Sequence, residues 1–180
     1  MSYFDVILAG FGGQGILMIG DVLAQAAMDE GFHVTWMPAY GVEMRGGTAN
    51  CTVVISDKKI GSPIPSHPHA LVVMNKPSLI KFSPLVMSGG LILFNGSFIS
   101  LEDIKRNDIQ PLRVNANEEA VELGNIRVAS MIVLGALVQK TKIVKQESLF
   151  KALDVVLPHS KQRFLEINKK ALEKGKELVK

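Results

Sequence analysis

A glycine-rich turn between a predicted strand and a predicted helix constrains the fold of this chain more than any other feature. The letters GFGGQG contain Gly10, Gly12 and Gly15, which satisfy the pattern G-x-G-x-x-G. Residues 3–9 have the apolar run of a buried strand, and residues 16–31 have helical periodicity and end at a glycine. Glycine permits the tight turn, and its missing Cβ lets a phosphate approach backbone N–H groups at a helix N-terminus. The turn therefore predicts a strand–loop–helix unit of an α/β protein.

The function of this turn has three interpretations. A dinucleotide site also needs an Asp or Glu about 20 residues further on, at the end of the second strand, to bind a ribose. Trp36, Met37 and Pro38 occupy that place, and Asp29 and Glu30 come before the strand begins. The sequence therefore favours a structural turn, or a loop that faces another anion or cofactor, over an NAD site.

Apolar runs bounded by turn residues continue along the chain and alternate with helical patterns. Strands are predicted at residues 3–9, 32–37, 50–56, 70–75, 89–95 and 108–115. Pro111 predicts that the last of these is an edge strand, since proline cannot donate to a ladder. From about Glu118 the pattern is helical, with helices at 129–140 and 146–156 and a basic amphipathic helix near the end. We predict an α/β fold with three layers: a Rossmann-like, largely parallel or mixed sheet, helices on both faces and a helical C-terminal third.

Length and composition narrow the class of protein. Residues 1–180 suit one domain, and no apolar run approaches the roughly 18 to 20 residues of a membrane span. With a single cysteine, Cys51, the chain can form no internal disulfide and hold no iron–sulfur cluster or Cys-rich zinc site by itself. We predict that Cys51 is a small buried hydrophobe rather than a nucleophile, and that the chain works in the reducing cytoplasm.

Charge and histidine content argue against nucleic-acid binding, membrane association and a metal site. The net charge is +3, and the excess lies in the C-terminal amphipathic helix, whose basic face is expected to be solvated. We therefore predict no nucleic-acid partner and no membrane association. His67 and His69 have no acid or cysteine beside them in the sequence, which disfavours a metal site. His33 is expected to be a structural strand residue.

A second unusual segment, AYGVEMRGGTAN, spans residues 39–50 and has no hydrophobic period. Tyr40 and Arg45 offer a ring and a guanidinium that suit a planar or phosphorylated group. Gly46 and Gly47 leave room for a ligand or a partner backbone. The residues alone are equally compatible with an interface or ligand loop and with a surface loop in which Glu43 pairs with Arg45.

The two glycine segments together resemble a known family. GFGGQG, then YGVEMRGGTANCTVVIS about twenty-five residues on, then IGSP, are similar to the gamma subunit of 2-oxoacid:ferredoxin oxidoreductases. The segment ASMIVLGAL at 129–137 resembles a later helical motif of that family, although this chain has Ser130 where Asn is expected. The resemblance covers about residues 3 to 140. The segment EMRGGTANCTVVIS is closer to the 2-oxoglutarate or branched-chain type than to the pyruvate type. The single-chain enzymes of the pyruvate type carry an equivalent gamma domain.

The resemblance implies a role in a larger enzyme. Such enzymes oxidatively decarboxylate a 2-oxoacid with coenzyme A to an acyl-CoA, CO2 and reduced ferredoxin or flavodoxin, using thiamine diphosphate, Mg2+ and iron–sulfur clusters. Alpha and beta subunits form the thiamine site, and a ferredoxin-like subunit or domain carries clusters. This chain has no Cys-x-x-Cys motif and no Gly-Asp-Gly followed by Asn for a magnesium–diphosphate site, so no catalytic residue and no cofactor held by this chain alone are expected.

The gamma-type chain is expected to complete the assembly and to form the entrance that faces coenzyme A. The predicted cofactor-facing residues are Gly10, Gly12, Gly13, Gln14, Gly15, Tyr40, Gly41, Glu43, Arg45, Gly46, Gly47 and Thr48. The alternative function is a stand-alone NAD(P)-binding Rossmann oxidoreductase or a nucleotide-sensing module built on the glycine turn.

Overall fold

A computed structural model of the chain describes residues 3–40 and 47–179, without the side chains of Tyr40 and Lys161. The strands are β1 (Tyr3–Phe11), β2 (His33–Tyr40), β3 (Thr48–Ser56), β4 (Ala70–Val73), β5 (Leu91–Asn95) and β6 (Gln110–Val114). The α-helices are α1 (Ile16–Asp29), α2 (Lys76–Phe82), α3 (Ala116–Glu122), α4 (Ala129–Thr141), α5 (Gln146–Val156) and α6 (Leu165–Glu177). Short 3₁₀ turns include Leu101–Asp103, Ile126–Val128 and His159–Phe164. Strands and helices alternate as predicted, which confirms the α/β fold.

The six strands form one mixed sheet in the order β2-β3-β1-β4-β5-β6. β1, β4, β5 and β6 run parallel, whereas β3 is antiparallel to both of its neighbours. β2 and β3 therefore form a hairpin-like pair, and β3 lies directly beside β1. The position next to β1 that a dinucleotide-binding fold gives to its second parallel strand is held here by an antiparallel strand.

Helices cover the two faces of the sheet unequally. The larger core joins one face of the strands to α1, α3, α4, α5 and α6. The other face has a smaller core, in which Leu79 and Phe82 of α2 pack on Ile7, Leu71 and Ile92. Helices on both faces and a helical C-terminal third were predicted, and both are confirmed.

Two glycines bring α4 and α6 into close contact. A Cβ on Gly135 would collide with the backbone carbonyl of Leu172, and a Cβ on Gly175 would collide with the carbonyl of Ile132. Every residue of α4 from Ala129 to Val138 is buried. The crossing of these helices is thus fixed by backbone-to-backbone packing, and this part of the core adjoins the N-terminal end of α1.

Several element boundaries differ from the sequence-based prediction. β2 was predicted to end at residue 37 but continues to Tyr40, and β3 begins at Thr48, so both ends of the segment 39–50 belong to strands. Backbone pairing of Ala39 with Asn50 and of Tyr40 with Ala49 extends the ladder into this glycine-rich segment. β6 is an edge strand that contains Pro111, as predicted. Among the described residues, no helix has the length and apolarity needed to cross a bilayer.

Candidate functional site

The glycine turn lies at a crevice in the sheet, where neighbouring strands lead to opposite faces. After β1 the chain turns into α1 on the face with the larger core, and after the adjacent β4 it turns into α2 on the other face. In open α/β sheets such a point, at the carboxyl ends of the strands, is where ligands bind. The predicted loop is therefore placed at the position of the fold best suited to a ligand.

The glycines of the turn have different roles. A Cβ on Gly10 would lie 2.7 Å from Gln14 Oε1, and a Cβ on Gly15 would lie 2.5 Å from Ser130 Oγ. These two positions need glycine because other parts of the chain pack against them. Gly13 has a φ of 95° and open space where a Cβ would be. Of the three, only Gly13 therefore leaves room beside the backbone for another molecule.

Gln14 closes the crevice between β1 and β4. Its Oε1 accepts a hydrogen bond from the backbone N–H of Phe11 at 2.7 Å and one from Nδ2 of Asn75 at 3.3 Å. Asn75 in turn caps α2, since its side chain accepts a hydrogen bond from the N–H of Ser78 at 2.9 Å. The side chain of Gln14, which was predicted to face a cofactor, thus connects the glycine turn to the first turn of α2 through Asn75.

The two glycine segments meet at their ends. The N–H of Gly12 donates to the carbonyl of Gly47 at 2.8 Å, and Phe11 pairs with Thr48 at the end of the β1–β3 ladder. Tyr40 ends β2, with its side chain outside the description. Gly41, Glu43, Arg45 and Gly46 also lie outside the described residues, so their predicted roles stay predictions.

A cavity of about 240 Å³ opens beside the glycine turn on the face with the larger core. Two glycines of the turn and three polar side chains belong to its lining: Gly13, Gly15, Asn125, Arg127 and Ser130. Its apolar wall consists of Met18, Val128, Met131, Leu157 and Phe164, and Asn168 completes the lining. The combination of an apolar wall and a few convergent polar groups is typical of sites for organic ligands.

Two polar side chains of this cavity lack partners within the described part of the chain. Ser130 is only 3% exposed, yet its hydroxyl makes no hydrogen bond to any described residue. The exposed guanidinium of Arg127 makes no hydrogen bond or ion pair there either. The Ser130 oxygen itself keeps contact with the cavity space, so it is available to bond a ligand atom or a water there. Sequence reasoning missed Arg127, which has no motif around it.

A second cavity, of about 190 Å³, lies on the other side of Gly13 and Arg127. Its lining includes Gln14 and Asn117. The two cavities share Gly13 and Arg127, so one positive side chain stands between them. This arrangement can bind an anion and is open on both sides of the glycine turn.

Asparagines at the ends of three parallel strands form a polar row along this edge of the sheet, which sequence reasoning also missed. Asn95 is fully buried; its Oδ1 accepts hydrogen bonds from the N–H groups of Ser97 and Ala116 at 3.3 and 3.2 Å, and its Nδ2 donates to Asn117 at 2.8 Å. Asn75 and Asn115 occupy the equivalent places after β4 and β6. The available signal was that each asparagine is the last residue of a predicted strand, where caps and turns recruit this residue type.

The remaining candidate residues have structural roles. Burial raises the pKa of the Cys51 thiol to about 12, and its Sγ lies 3.6 Å from the carbonyl of Ile16. This agrees with the prediction of an inert thiol. His69 does have an acid beside it, contrary to the interpretation from local sequence: Nδ1 lies 2.8 Å from Oδ1 of the buried Asp5. Even so, the described residues contain no group of three or more His, Cys, Asp or Glu that could hold a metal ion.

Fold and site together define an α/β protein with a Rossmann-like topology, a glycine turn at the switch point and an antiparallel strand beside the first strand. The model of the pyruvate ferredoxin/flavodoxin oxidoreductase family matches residues 5–178. The chain therefore belongs to that family, as the two glycine segments indicated.

Curated relatives carry several subunit names. The chain is 39% identical over 172 residues to the ketoisovalerate oxidoreductase subunit VorA of Methanothermobacter thermautotrophicus, covering 96% of this chain and 35% of the relative. It is 32% identical to the 2-oxoglutarate synthase subunit KorC of the same organism, covering 97% of this chain and 94% of the relative. The chain thus spans about a third of the VorA relatives but nearly all of KorC.

Solved structures show the same fold. The keto/oxoacid ferredoxin oxidoreductase gamma subunit from Geobacter sulfurreducens matches with a TM-score of 0.83, 28% identity and 98% coverage of both chains. A 2-oxoglutarate:ferredoxin oxidoreductase from Magnetococcus marinus, with 2-oxoglutarate, coenzyme A and succinyl-CoA bound, matches with a TM-score of 0.88 and 22% identity. It covers 99% of this chain and 31% of that chain. At that identity the second match concerns the fold alone.

Proposed function

We propose that the chain is the gamma subunit of a multisubunit 2-oxoacid:ferredoxin or flavodoxin oxidoreductase. The complex oxidatively decarboxylates a 2-oxoacid with coenzyme A to an acyl-CoA and CO2, and it reduces ferredoxin or flavodoxin. In this proposal the chain works in the cytoplasm and contributes part of the coenzyme A-facing entrance. Alpha and beta subunits and a ferredoxin-like subunit or domain contribute the reaction centre. Family membership and whole-length similarity to gamma subunits and KorC support this assignment.

The observation that carries the coenzyme A part of the proposal is the pair of cavities around Gly13 and Arg127. Coenzyme A has phosphate groups at one end and a flexible, less polar arm at the other. Phosphate suits the guanidinium of Arg127, the open side of Gly13 and the N-terminal end of α1. The apolar wall next to Ser130 suits the arm. The residues present therefore fit the chemistry of this cofactor.

The other cofactors do not fit this chain. One buried cysteine cannot supply the thiolates of a cluster, and no Gly-Asp-Gly signature for a magnesium–diphosphate site exists in the sequence. We therefore assign thiamine diphosphate, Mg2+ and the iron–sulfur clusters to the partner subunits. Assayed alone with 2-oxoacids, coenzyme A and a viologen dye, the chain is expected to give no turnover above buffer.

The coenzyme A role is tested with the complex reconstituted from this chain and the proposed alpha, beta and ferredoxin-like subunits. Arg127→Gln is expected to raise the KM for coenzyme A by roughly tenfold, the effect of losing one charge-assisted contact, while kcat stays near the wild-type value. Lys151→Gln, an exposed substitution on α5 away from the cavities, is the matched control. An unchanged KM in an intact Arg127→Gln complex would contradict the coenzyme A assignment. Arg45→Ala is a companion variant for the undescribed segment, with the same expected direction.

We further propose 2-oxoglutarate as the 2-oxoacid, on the whole-length match to KorC; the second glycine segment supports 2-oxoglutarate or a branched-chain acid over pyruvate. The VorA and common gamma-subunit names of other relatives make branched-chain and pyruvate substrates the competing outcomes. Turnover of the reconstituted complex with 2-oxoglutarate, 3-methyl-2-oxobutanoate and pyruvate decides among them. The highest kcat/KM with either of the other two acids would refute the 2-oxoglutarate assignment.

A further inference from the structure

The two edges of the sheet are protected very differently. β6 has five residues and carries Pro111 and Arg113, features that disfavour pairing with another strand. β2, at the opposite edge, has eight residues with the sequence HVTWMPAY; it carries one proline, Pro38, as β6 does, but none of its residues is Lys, Arg, Asp or Glu. β2 pairs only with β3 among the described strands. A long, uncharged edge strand is a template for strand addition unless something covers it.

An apolar cleft lies directly beside this edge. Leu17, Met18 and Asp21 of α1, Trp36 of β2, and Val156 and Pro158 line a cavity of about 240 Å³, here called the edge cleft. Trp36 is 36% exposed, and the neighbouring Val155 is 67% exposed. The edge strand and the edge cleft thus form a continuous exposed surface that contains a large aromatic side chain.

The indole of Trp36 packs closely against Gly20 of α1. A Cβ on Gly20 would lie 2.9 Å from Nε1 of Trp36 and would collide with Sγ of Cys51, so the glycine lets the indole lie close against α1. The indole nitrogen and the Cys51 sulfur thus both lie against the open side of Gly20. A fixed aromatic side chain at a surface cleft has the character of an interface anchor, because little conformational entropy is lost on binding.

Asp21 is the charged group of the edge cleft. It is partly buried, and burial raises its pKa. Within the described residues Asp21 has no hydrogen bond and no ion pair. A partly desolvated carboxylate without a partner favours a cation from another molecule.

We propose that the β2 edge and the edge cleft together form the docking surface for an extended segment of a partner subunit. The segment adds to the sheet beside β2, inserts an apolar side chain next to Trp36, and pairs a Lys or Arg with Asp21. The inference rests on the proposed function, which supplies the partner subunits. Strand addition gives affinity through main-chain hydrogen bonds, and the cleft gives specificity.

A second copy of this chain suits the surface less well. Its own β2 offers no Lys or Arg, and a two-fold pairing of two β2 edges would present another Asp21 and no cation from either strand or cleft. Charge complementarity therefore favours a different subunit over self-association.

Hydrogen exchange measured by mass spectrometry tests the strand addition. The free chain is compared with the complex that it forms with the proposed alpha, beta and ferredoxin-like subunits. We expect peptides that cover His33–Tyr40 to gain protection on assembly, while peptides that cover the β6 edge, Gln110–Val114, stay unchanged.

Affinity measurements with matched variants test the side-chain contacts. Asp21→Asn is expected to weaken assembly about tenfold, whereas Asp29→Asn, an exposed position of the same helix, stays within about twofold. Met37→Lys places a charge on the open edge and is expected to weaken assembly at least tenfold, and Gln110→Lys on β6 is its control.

The outcomes separate this inference from the proposed function. A complex that forms without protecting β2, or that binds the Asp21 and Met37 variants as tightly as wild type, overturns the docking surface and leaves the proposed function intact. The absence of any complex with these subunits overturns both. Sedimentation of the free chain as a dimer that Met37→Lys dissociates would assign the surface to a second copy instead.

Discussion

Gly13 and Gly15 stand two residues apart and both have positive φ, at 95° and 78°, yet their surroundings differ. Gly13 borders open space. Gly15, which precedes the first residue of α1, lies against the side chain of Ser130 in α4. An alanine at Gly13 therefore costs only the strain of a positive φ. An alanine at Gly15 costs the same backbone strain and also a steric clash with Ser130. The comparison separates the backbone requirement of the turn from its packing against α4.

Gly13→Ala is expected to lower the free energy of unfolding by about 1 to 2 kcal/mol, the cost of a left-handed conformation for a residue with a Cβ. Gly15→Ala should cost at least about 1 kcal/mol more, since its Cβ also displaces the Ser130 hydroxyl. Urea denaturation of the two variants measures the difference. Equal losses would mean that Ser130 moves away freely and that α4 does not constrain the turn.

Cys51 yields a prediction about reactivity. Only the thiolate reacts with alkylating agents, and burial raises the pKa of this thiol from 9.0 to about 12. Iodoacetamide should therefore leave the folded chain unlabelled at pH 8 and label it stoichiometrically in urea. Labelling should increase only as the pH approaches 12 or as the chain unfolds. Rapid modification at pH 8 with an unchanged circular dichroism spectrum would refute the burial of this side chain.

At the scale of elements, the crossing of α4 and α6 leaves no room for an added side-chain carbon at either glycine. Gly135 and Gly175 each face a backbone carbonyl of the other helix, and a backbone cannot move aside as the end of a side chain can. Helix packing here transmits to the site, because Ser130 at the start of α4 lines the main cavity.

Gly135→Ala is expected to destabilise the chain by about 2 kcal/mol or more, although alanine is the better helix former, because the added methyl forces the two helices apart. Gly61→Ala is the control, since its Cβ would meet nothing within 4 Å. Thermal unfolding of both variants provides the measurement. A Gly135→Ala protein as stable as wild type would show that the crossing adjusts at little cost.

Sequence patterns predicted the elements well in segments where one hydrophobic periodicity, that of a strand or that of a helix, dominates. The buried runs of β1, β4 and β5 and the helices α1, α4 and α5 were predicted within a few residues. The predicted end of β2 was wrong, because Pro38, Ala39 and Tyr40 show no alternation of apolar and polar residues. These residues belong to the strand because they pair with β3. Such pairing is a non-local property that no local period reveals.

For the whole molecule, the antiparallel β3 beside β1 distinguishes this sheet from that of a dinucleotide-binding fold. The pairing of β3 with β1 depends on residues far apart in the chain, so the sequence predicted a largely parallel or mixed sheet without identifying β3 as the antiparallel strand. The candidate site was likewise predicted only in part. The glycine turn is a local motif, but the approach of Arg127 and Ser130 to Gly13 and Gly15 depends on how the C-terminal third packs.

NAD(H) and NADP(H) are expected to bind the isolated chain poorly. β3 holds the place of the strand whose terminal acid would bind the ribose, and Gln14 fills the crevice between β1 and β4. Titration calorimetry is the measurement, and no heat of binding is expected at micromolar concentrations. A dissociation constant near 1 μM, about 8 kcal/mol of binding free energy, would favour a stand-alone dehydrogenase instead.

The ladder between β1 and β3 pairs nine consecutive residues, from Tyr3 with Ser56 to Phe11 with Thr48, and ends at the Gly12–Gly47 hydrogen bond. Inserting or deleting one residue within either strand would turn the following side chains to the opposite face of the sheet. Natural length variation between the two glycine segments should therefore occur in α1 and in the connections, and not inside the strands. A search pattern for distant members of this family gains sensitivity by allowing gaps in those places and forbidding them along the nine paired positions.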